Sequence, residues 1–145
     1  MLSKSEEISL LLREFLMYHR INHQRFLENL DLYYGQPILL MHLYDKGEAT
    51  QKELAGYLNC SPAAVAVSIK RLERKGLLEK RVDNTDMRYN KITLTEEGKK
   101  RALAARAGLD RIDRRCFDGF SQDELDTLKN FYQRMINNLN SEGKQ

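Results

Sequence analysis

The stretch from Thr50 to Gly76 reads TQKELAGYLNCSPAAVAVSIKRLERKG and contains the start signals of two consecutive helices. Thr50 and Glu53 form a capping box, in which the Thr50 hydroxyl accepts from the N–H of Glu53 and the Glu53 carboxylate accepts from the N–H of Thr50. Ser61 as N-cap and Pro62 at the first helical position start the second helix, and Gly76 ends it. Because the second start follows so soon, the first helix is predicted to be about two turns long.

The second helix has one apolar side and one side that is unusual for a surface helix. At about 100° per residue, Val65, Ile69 and Leu72 fall together and are predicted to pack inward. The opposite side and its flanks carry small or methyl-bearing groups followed by three cations, at Ala63, Ala66, Val67, Lys70, Arg71 and Arg74. A helix buried on both sides is the alternative, but it would not carry three cations outward. The pattern suits the major groove of duplex DNA, where methyl groups contact thymine and cations contact phosphates or guanine edges.

A basic β-hairpin follows this helix. Residues 77–82 and 91–95 are predicted as its strands, the second of them because apolar and polar residues alternate. Between Ser68 and Lys91 there are eight Lys or Arg side chains and four carboxylates, a net charge of +4, whereas the whole chain carries +3. The excess positive charge therefore lies in the segment that also contains the unusual helix.

Four pieces of sequence occur in a fixed order across this region. They are Gln51-Lys52-Glu53-Leu54-Ala55, then Val65 with Ile69-Lys70-Arg71-Leu72-Glu73-Arg74-Lys75-Gly76-Leu77, an Asp-x-x-Asp-x-Arg loop at Asp83, Asp86 and Arg88, and Leu94-Thr95-Glu96-Glu97-Gly98. Together they resemble the MarR family of bacterial transcription regulators. The resemblance implies a mainly α fold with a small β-hairpin wing, a winged helix-turn-helix with long N- and C-terminal dimerisation helices. It also implies a sequence-specific DNA-binding regulator that represses transcription from a pseudo-palindromic operator. A small-molecule effector would relieve this repression.

The resemblance also implies a role for the loop of the wing. The wing-tip arginine of the family, here Arg88, enters the minor groove, and the loop aspartates Asp83 and Asp86 help to hold it. A narrow A·T-rich minor groove concentrates negative potential, which favours an inserted guanidinium. The residues expected to contact double-stranded DNA are Ser61, Ala63, Ala64, Ala66, Val67, Lys70, Arg71, Arg74, Asp83, Asp86 and Arg88.

Length and composition predict one domain over residues 1–145, since 145 residues with 41% hydrophobic side chains can form a core without metal or disulfide support. Residues 1–34 and 99–145 are expected to be dimerisation helices, and residues 35–98 the DNA-binding part. No apolar run approaches the roughly 20 residues that span a bilayer, and the first residues do not resemble a signal peptide. We therefore expect a cytoplasmic protein.

The terminal helices carry more apolar surface than so short a chain can cover. The first has apolar positions at Ile8, Leu11, Phe15, Tyr18, Phe26 and Leu30, and the last at Leu125, Leu128, Phe131, Tyr132, Met135, Ile136 and Leu139. Because the arc of the last helix is too wide for one contact, we expect a homodimer in which these helices interlock. A two-fold dimer would place its two recognition helices about one DNA turn apart, roughly 34 Å.

No catalytic constellation is present in the sequence, and an enzyme is not expected. His19 and His23 lie one helical turn apart, and with His42 they offer three imidazoles for a zinc ion. Cys60 precedes the recognition helix, whose N-terminus would lower the pKa of a thiol there and make it sensitive to oxidation. The favoured interpretation is half-buried histidines at a packing seam and a small buried cysteine. We therefore expect no metal and no cofactor, and a metal- or redox-switched regulator remains an alternative.

Many members of the family respond to a small, often aromatic or phenolic, effector in a cleft between the dimer helices and the DNA-reading part. The residues that the resemblance places along that cleft are Tyr18, His19, Arg20, His23, Tyr33, Tyr34 and His42. Aromatic walls with a few polar groups suit such ligands, although ordinary seam packing also explains them. A further alternative is a winged-helix protein-interaction module that does not read DNA, which the cations of the recognition helix and Arg88 argue against.

Overall fold

The structure is a computed structural model that describes residues 1–33, 35–82 and 90–142. The described part forms six helices and three strands: α1 (Lys4–Asn29), α2 (Gln36–Lys46), β1 (Glu48–Thr50), α3 (Gln51–Leu58), α4 (Pro62–Arg74), β2 (Leu78–Val82), β3 (Asn90–Leu94), α5 (Glu96–Arg115) and α6 (Gln122–Glu142). The chain divides into two compact units, Met1–Ile112 and Asp113–Gln145. Within the described residues, no helix combines the length and the apolar character needed to cross a membrane.

The predicted helix starts are confirmed. At α3, the N–H of Thr50 donates to Glu53 Oε2 at 2.8 Å and the N–H of Glu53 donates to Thr50 Oγ1 at 3.2 Å. At α4, the N–H of Ala64 donates to Ser61 Oγ at 3.2 Å. A further capping box at Ser3 starts α1, where the backbone N–H and hydroxyl of Ser3 donate to the Glu6 carboxylate and hold the pKa of that group below its ordinary value.

The hairpin is confirmed and belongs to a sheet of three antiparallel strands in the order β1, β3, β2. Leu78 pairs with Leu94 and Val82 with Asn90, which makes β2 and β3 the two strands of the wing. Strand β1 pairs with the other edge of β3, Ala49 opposite Ile92. The sequence did not predict β1, because three residues are too few to show an alternating pattern.

The core of the first unit lies under α2, α3, α4 and the sheet. Its side chains are almost all aliphatic, and the largest fully buried ones are Leu39, Leu40, Leu43, Leu54, Val65, Ile69, Leu72, Leu77 and Ile92. Val65, Ile69 and Leu72 are the three residues predicted to face inward from α4. The core therefore fixes which side of α4 remains at the surface.

The chain just after α4 is held against the first turn of α5. The N–H of Thr95 donates to the carbonyl of Leu77 at 3.1 Å, and the Thr95 hydroxyl donates to the carbonyl of Gly76 at 2.6 Å. Gly98 is packed so closely here that an added Cβ would lie 2.0 Å from the carbonyl oxygen of Leu77. Gly76 itself has φ +74°, the left-handed conformation predicted for the residue that ends the helix.

Both terminal helices present apolar side chains at the surface. On α1 these include Ile8, Leu11, Leu12, Phe15 and Leu16, all of them exposed. Considered by itself, α6 has no buried residue between Gln122 and Ser141. Its exposed apolar residues are Phe131, Tyr132, Met135, Ile136 and Leu139.

Candidate nucleic-acid interface

The outer side of α4 is exposed along its whole length. Ala63, Val67, Lys70 and Arg74 are exposed, and they lie opposite the buried side of the helix. Val67 leaves 49% of its surface accessible, which is a large fraction for a valine. Ala66, on one flank, is half-buried. Along the outer side of α4, residues with methyl groups therefore come first and two cations follow.

The N-terminal end of α4 is shaped by the turn from α3. Asn59 ends α3 in the left-handed conformation at φ +49°, and Gln51 Nε2 donates to the carbonyl of Pro62 at 3.5 Å. Ser61 and Ala64 are exposed at this end. Backbone N–H groups at the start of a helix carry partial positive charge, so this end suits a phosphate.

The C-terminal end of α4 contains the remaining cations. Arg71 is exposed and its guanidinium lies over the ring of Tyr33, with 5.9 Å between Cζ and the ring centroid. Lys75 Nζ lies 5.0 Å from the same centroid. Sequence reasoning missed Lys75, although its position in the last turn of a basic helix is a signal for it.

The wing extends the basic surface beyond α4. Lys80 and Arg81 are exposed on β2, and Lys91 Nζ on β3 lies 3.7 Å from Glu48 Oε1 on β1. The loop residues predicted to enter the minor groove, Asp83, Asp86 and Arg88, lie outside the described residues. Their contribution to the interface remains a prediction from the sequence.

The residues predicted for an effector site separate into groups where the structure describes them. His19 and His23 are half-buried on α1 with 4.0 Å between their ring centroids, and Tyr18 and Arg20 are exposed on the same helix. His42 instead stacks on Tyr57 of α3, with 3.7 Å between centroids. Tyr34 lies outside the described residues. Tyr57 is a partner that the sequence did not indicate, because the contact depends on how α2 packs on α3.

The expectation that Cys60 is buried is wrong. Its side chain is exposed, since it lies in the turn between α3 and α4 rather than on the inner side of either helix. Cys116 is half-buried.

A short helix, a second helix with an exposed outer side, and an antiparallel hairpin in this order define a winged helix-turn-helix. Such a unit places its second helix in the major groove of duplex DNA. The architecture is therefore that of a nucleic-acid-binding protein. Comparison with known proteins narrows this class further.

A sequence profile of the MarR family matches residues 32–89. The HTH-type transcriptional regulator YdgJ of Bacillus subtilis (strain 168) is 31% identical over 103 residues, which cover 71% of this chain and 63% of YdgJ. The crystal structure of the Staphylococcus aureus MepR–DNA complex matches with a TM-score of 0.78 at 26% identity, over 95% of this chain and 99% of that one. Bacillus subtilis YusO matches in fold with a TM-score of 0.78 at 22% identity, over 94% and 99% of the two chains. Residues 32–89 thus match the MarR family, and the chain is similar in sequence and fold to transcriptional regulators, although it spans only 63% of YdgJ.

Proposed function

We propose that the protein is a homodimeric repressor that binds a pseudo-palindromic operator in duplex DNA. The observation that carries this proposal is the outer side of α4, where Ala63, Val67, Lys70 and Arg74 are exposed together opposite a fully packed inner side. A repressor of this kind acts by covering a promoter, in the cytoplasm where the chromosome lies.

In this proposal, the methyl groups near the start of α4 contact thymine methyls in the major groove. Ser61 and the first N–H groups of α4 contact a phosphate, as helix N-termini commonly do. Lys70 and Arg74 lie further along the helix and contact phosphates or an outer guanine. Arg88 supplies the contact to the minor groove that the resemblance predicts, and the same resemblance gives Asp83 and Asp86 the role of holding it.

The homodimer is supported by the apolar side chains that α1 and α6 each expose. Monomers seldom leave so many large hydrophobic groups in contact with water. A second copy of the chain is the partner that supplies matching surfaces, since a two-fold interface uses the same residues on both sides. The MepR–DNA complex shows that a relative of this fold binds DNA.

We further propose that a small aromatic or phenolic effector relieves repression. Tyr18, His19, Arg20, His23, Tyr34 and His42 are the residues proposed to line its site. Among the described ones, His19 and His23 are adjacent, which supports a contribution from α1. The contact of His42 with Tyr57 connects α2 to α3, so a ligand that displaces His42 would also disturb the helix before the recognition helix.

A salt titration with a labelled random duplex tests the DNA-binding proposal. Fluorescence anisotropy should give an affinity that falls as salt rises, because bound cations release counterions from the phosphates. Lys70→Ala should lower the slope of log affinity against log salt by about 0.9, the value for one phosphate contact. Lys4→Ala is the matched control, since it removes an exposed cation at the start of α1 and should leave the slope unchanged. No measurable affinity at low salt would instead favour a protein-interaction module.

A further inference from the structure

A basic cavity lies beside the last turn of α4. Its lining residues are Tyr33, Arg71, Arg74 and Lys75, and its volume is about 470 Å³. This volume falls within the range of small-molecule sites, roughly 300–1,000 Å³. Of the described residues predicted for the effector cleft, only Tyr33 lines it, and its three cations come from the end of α4 and its C-cap instead.

The charges around this cavity are unbalanced. Three of its four lining side chains are cations, and among the residues that the structure describes Asp31 is the one carboxylate in ion-pair contact with any of them, 3.4 Å from Lys75 Nζ. Among the described residues, Arg71 and Arg74 have no carboxylate at ion-pair distance. The local charge of the cavity with Asp31 included is therefore about +2, counting each side chain in its ordinary ionised form.

We propose that this cavity binds a small oxyanion with two or more negative charges, such as a tricarboxylate or a diphosphate. Two guanidinium groups beside an ammonium suit such a ligand, because Arg binds carboxylate and phosphate oxygens through paired N–H groups. A singly charged anion would leave one positive charge uncompensated. The ring of Tyr33 forms the remaining wall and holds Arg71 and Lys75 against its face.

Lys75 connects this cavity to the end of α1. Besides its ion pair with the Asp31 carboxylate, Lys75 Nζ donates to the carbonyl of Asp31 just after α1. The neighbouring carbonyl, that of Leu30, accepts from Arg101 of α5 at 2.6 Å. An oxyanion in the cavity competes with Asp31 for Lys75 and so changes the connection between α1 and the recognition helix. This regulatory consequence rests on the proposed DNA-binding function, whereas anion binding itself does not.

Direct binding is tested on the full-length protein without DNA. Citrate and inorganic pyrophosphate are titrated into ¹⁵N-labelled protein at constant ionic strength, and the Arg and backbone NMR signals are followed. The expected result is a saturable shift of signals from residues 31–33 and 71–75, with acetate binding about tenfold more weakly because it forms fewer charged hydrogen bonds. Arg71→Gln and Lys75→Gln should each weaken citrate binding about tenfold for the same reason.

Lys70→Gln is the matched control, since it removes one cation from the same helix but does not line the cavity. It should bind citrate as the wild type does, and the dispersion of each variant's spectrum reports whether it is folded. Equal weakening by Lys70→Gln and Arg71→Gln, or shifts that do not saturate, would overturn the proposal, because cations that only balance the helix dipole or contact DNA phosphates form no such site. In a second arm, citrate should weaken DNA binding of the wild type more than that of Arg71→Gln.

Discussion

At the scale of single residues, we expect Val67 to contact thymine methyl groups in the major groove. Its methyl groups are exposed near the start of the outer side, close to Ala63, and neither residue has a side-chain hydrogen-bonding atom. Replacing thymine by uracil at contacted positions of the operator removes only a methyl group. We expect binding to weaken by up to about 1 kcal/mol at one or more positions, the size of one buried methyl contact.

Arg74→Ala provides the comparison for this measurement. If Arg74 contacts a phosphate, the substitution lowers the affinity for all duplexes by a similar factor and leaves base preference unchanged. If uracil has no effect anywhere in the half-site while Arg74→Ala abolishes discrimination against one base pair, then Val67 does not contribute to specificity through a thymine methyl.

At the scale of the elements, the sequence predicted the two helices of the helix-turn-helix, the first and last helices and the hairpin. The reason is that these elements have local signals, such as the capping boxes at Thr50 and Ser121 and the left-handed Gly76. Strand β1 has no local signal and exists because Ala49 pairs with Ile92, a contact between distant parts of the chain. The exposed side of α4 was likewise predictable, since helical periodicity determines which residues face the core.

The surroundings of the interface were less predictable. The stacking of His42 on Tyr57 and the position of Tyr33 beside Arg71 depend on how separate elements pack. Periodicity within one helix contains no information about such contacts. The exposure of Cys60 follows from its place in a tight turn, which composition alone did not reveal.

We expect the close contact between the end of α4 and the start of α5 to contribute to the free energy of unfolding. Gly98→Ala places a methyl group against the carbonyl of Leu77, a backbone atom that cannot rotate away. The free energy of unfolding should fall by about 1–3 kcal/mol, as is usual for overpacking. Chemical denaturation of the free protein measures this change.

Gly56→Ala is the matched control, because it lies in α3 and an added Cβ there meets no atom within 4 Å. This substitution should raise the stability by about 0.5–1 kcal/mol, since alanine favours a helix over glycine. If Gly56→Ala is destabilised, or if Gly98→Ala is as stable as the wild type, then Gly98 does not pack closely against the carbonyl of Leu77.

At the scale of the whole molecule, the exposed apolar side chains of α6 predict self-association. Phe131→Glu together with Met135→Glu introduces two charges into this surface and should weaken the dimer by about 2 kcal/mol or more, the usual effect of losing central anchors. Sedimentation velocity over a range of concentrations measures the shift toward monomer or aggregate. Lys129→Glu, an exposed position on the same helix, should remain a dimer, and a double variant that dimerises like the wild type would exclude α6 from the interface.

In the proposed mechanism, two copies of the chain read two halves of one operator with their α4 helices. Selection from random duplex DNA, followed by anisotropy measurements on the enriched sequence, tests it most directly. We predict an A·T-rich inverted repeat whose half-sites lie one helical turn apart, roughly 34 Å between centres. Inserting about half a turn between the half-sites should lower the affinity by about a hundredfold, because the two helices can no longer bind the same face. Enrichment of a single unsymmetrical site, or an affinity that does not depend on the spacing, would show that the two α4 helices do not bind two half-sites together.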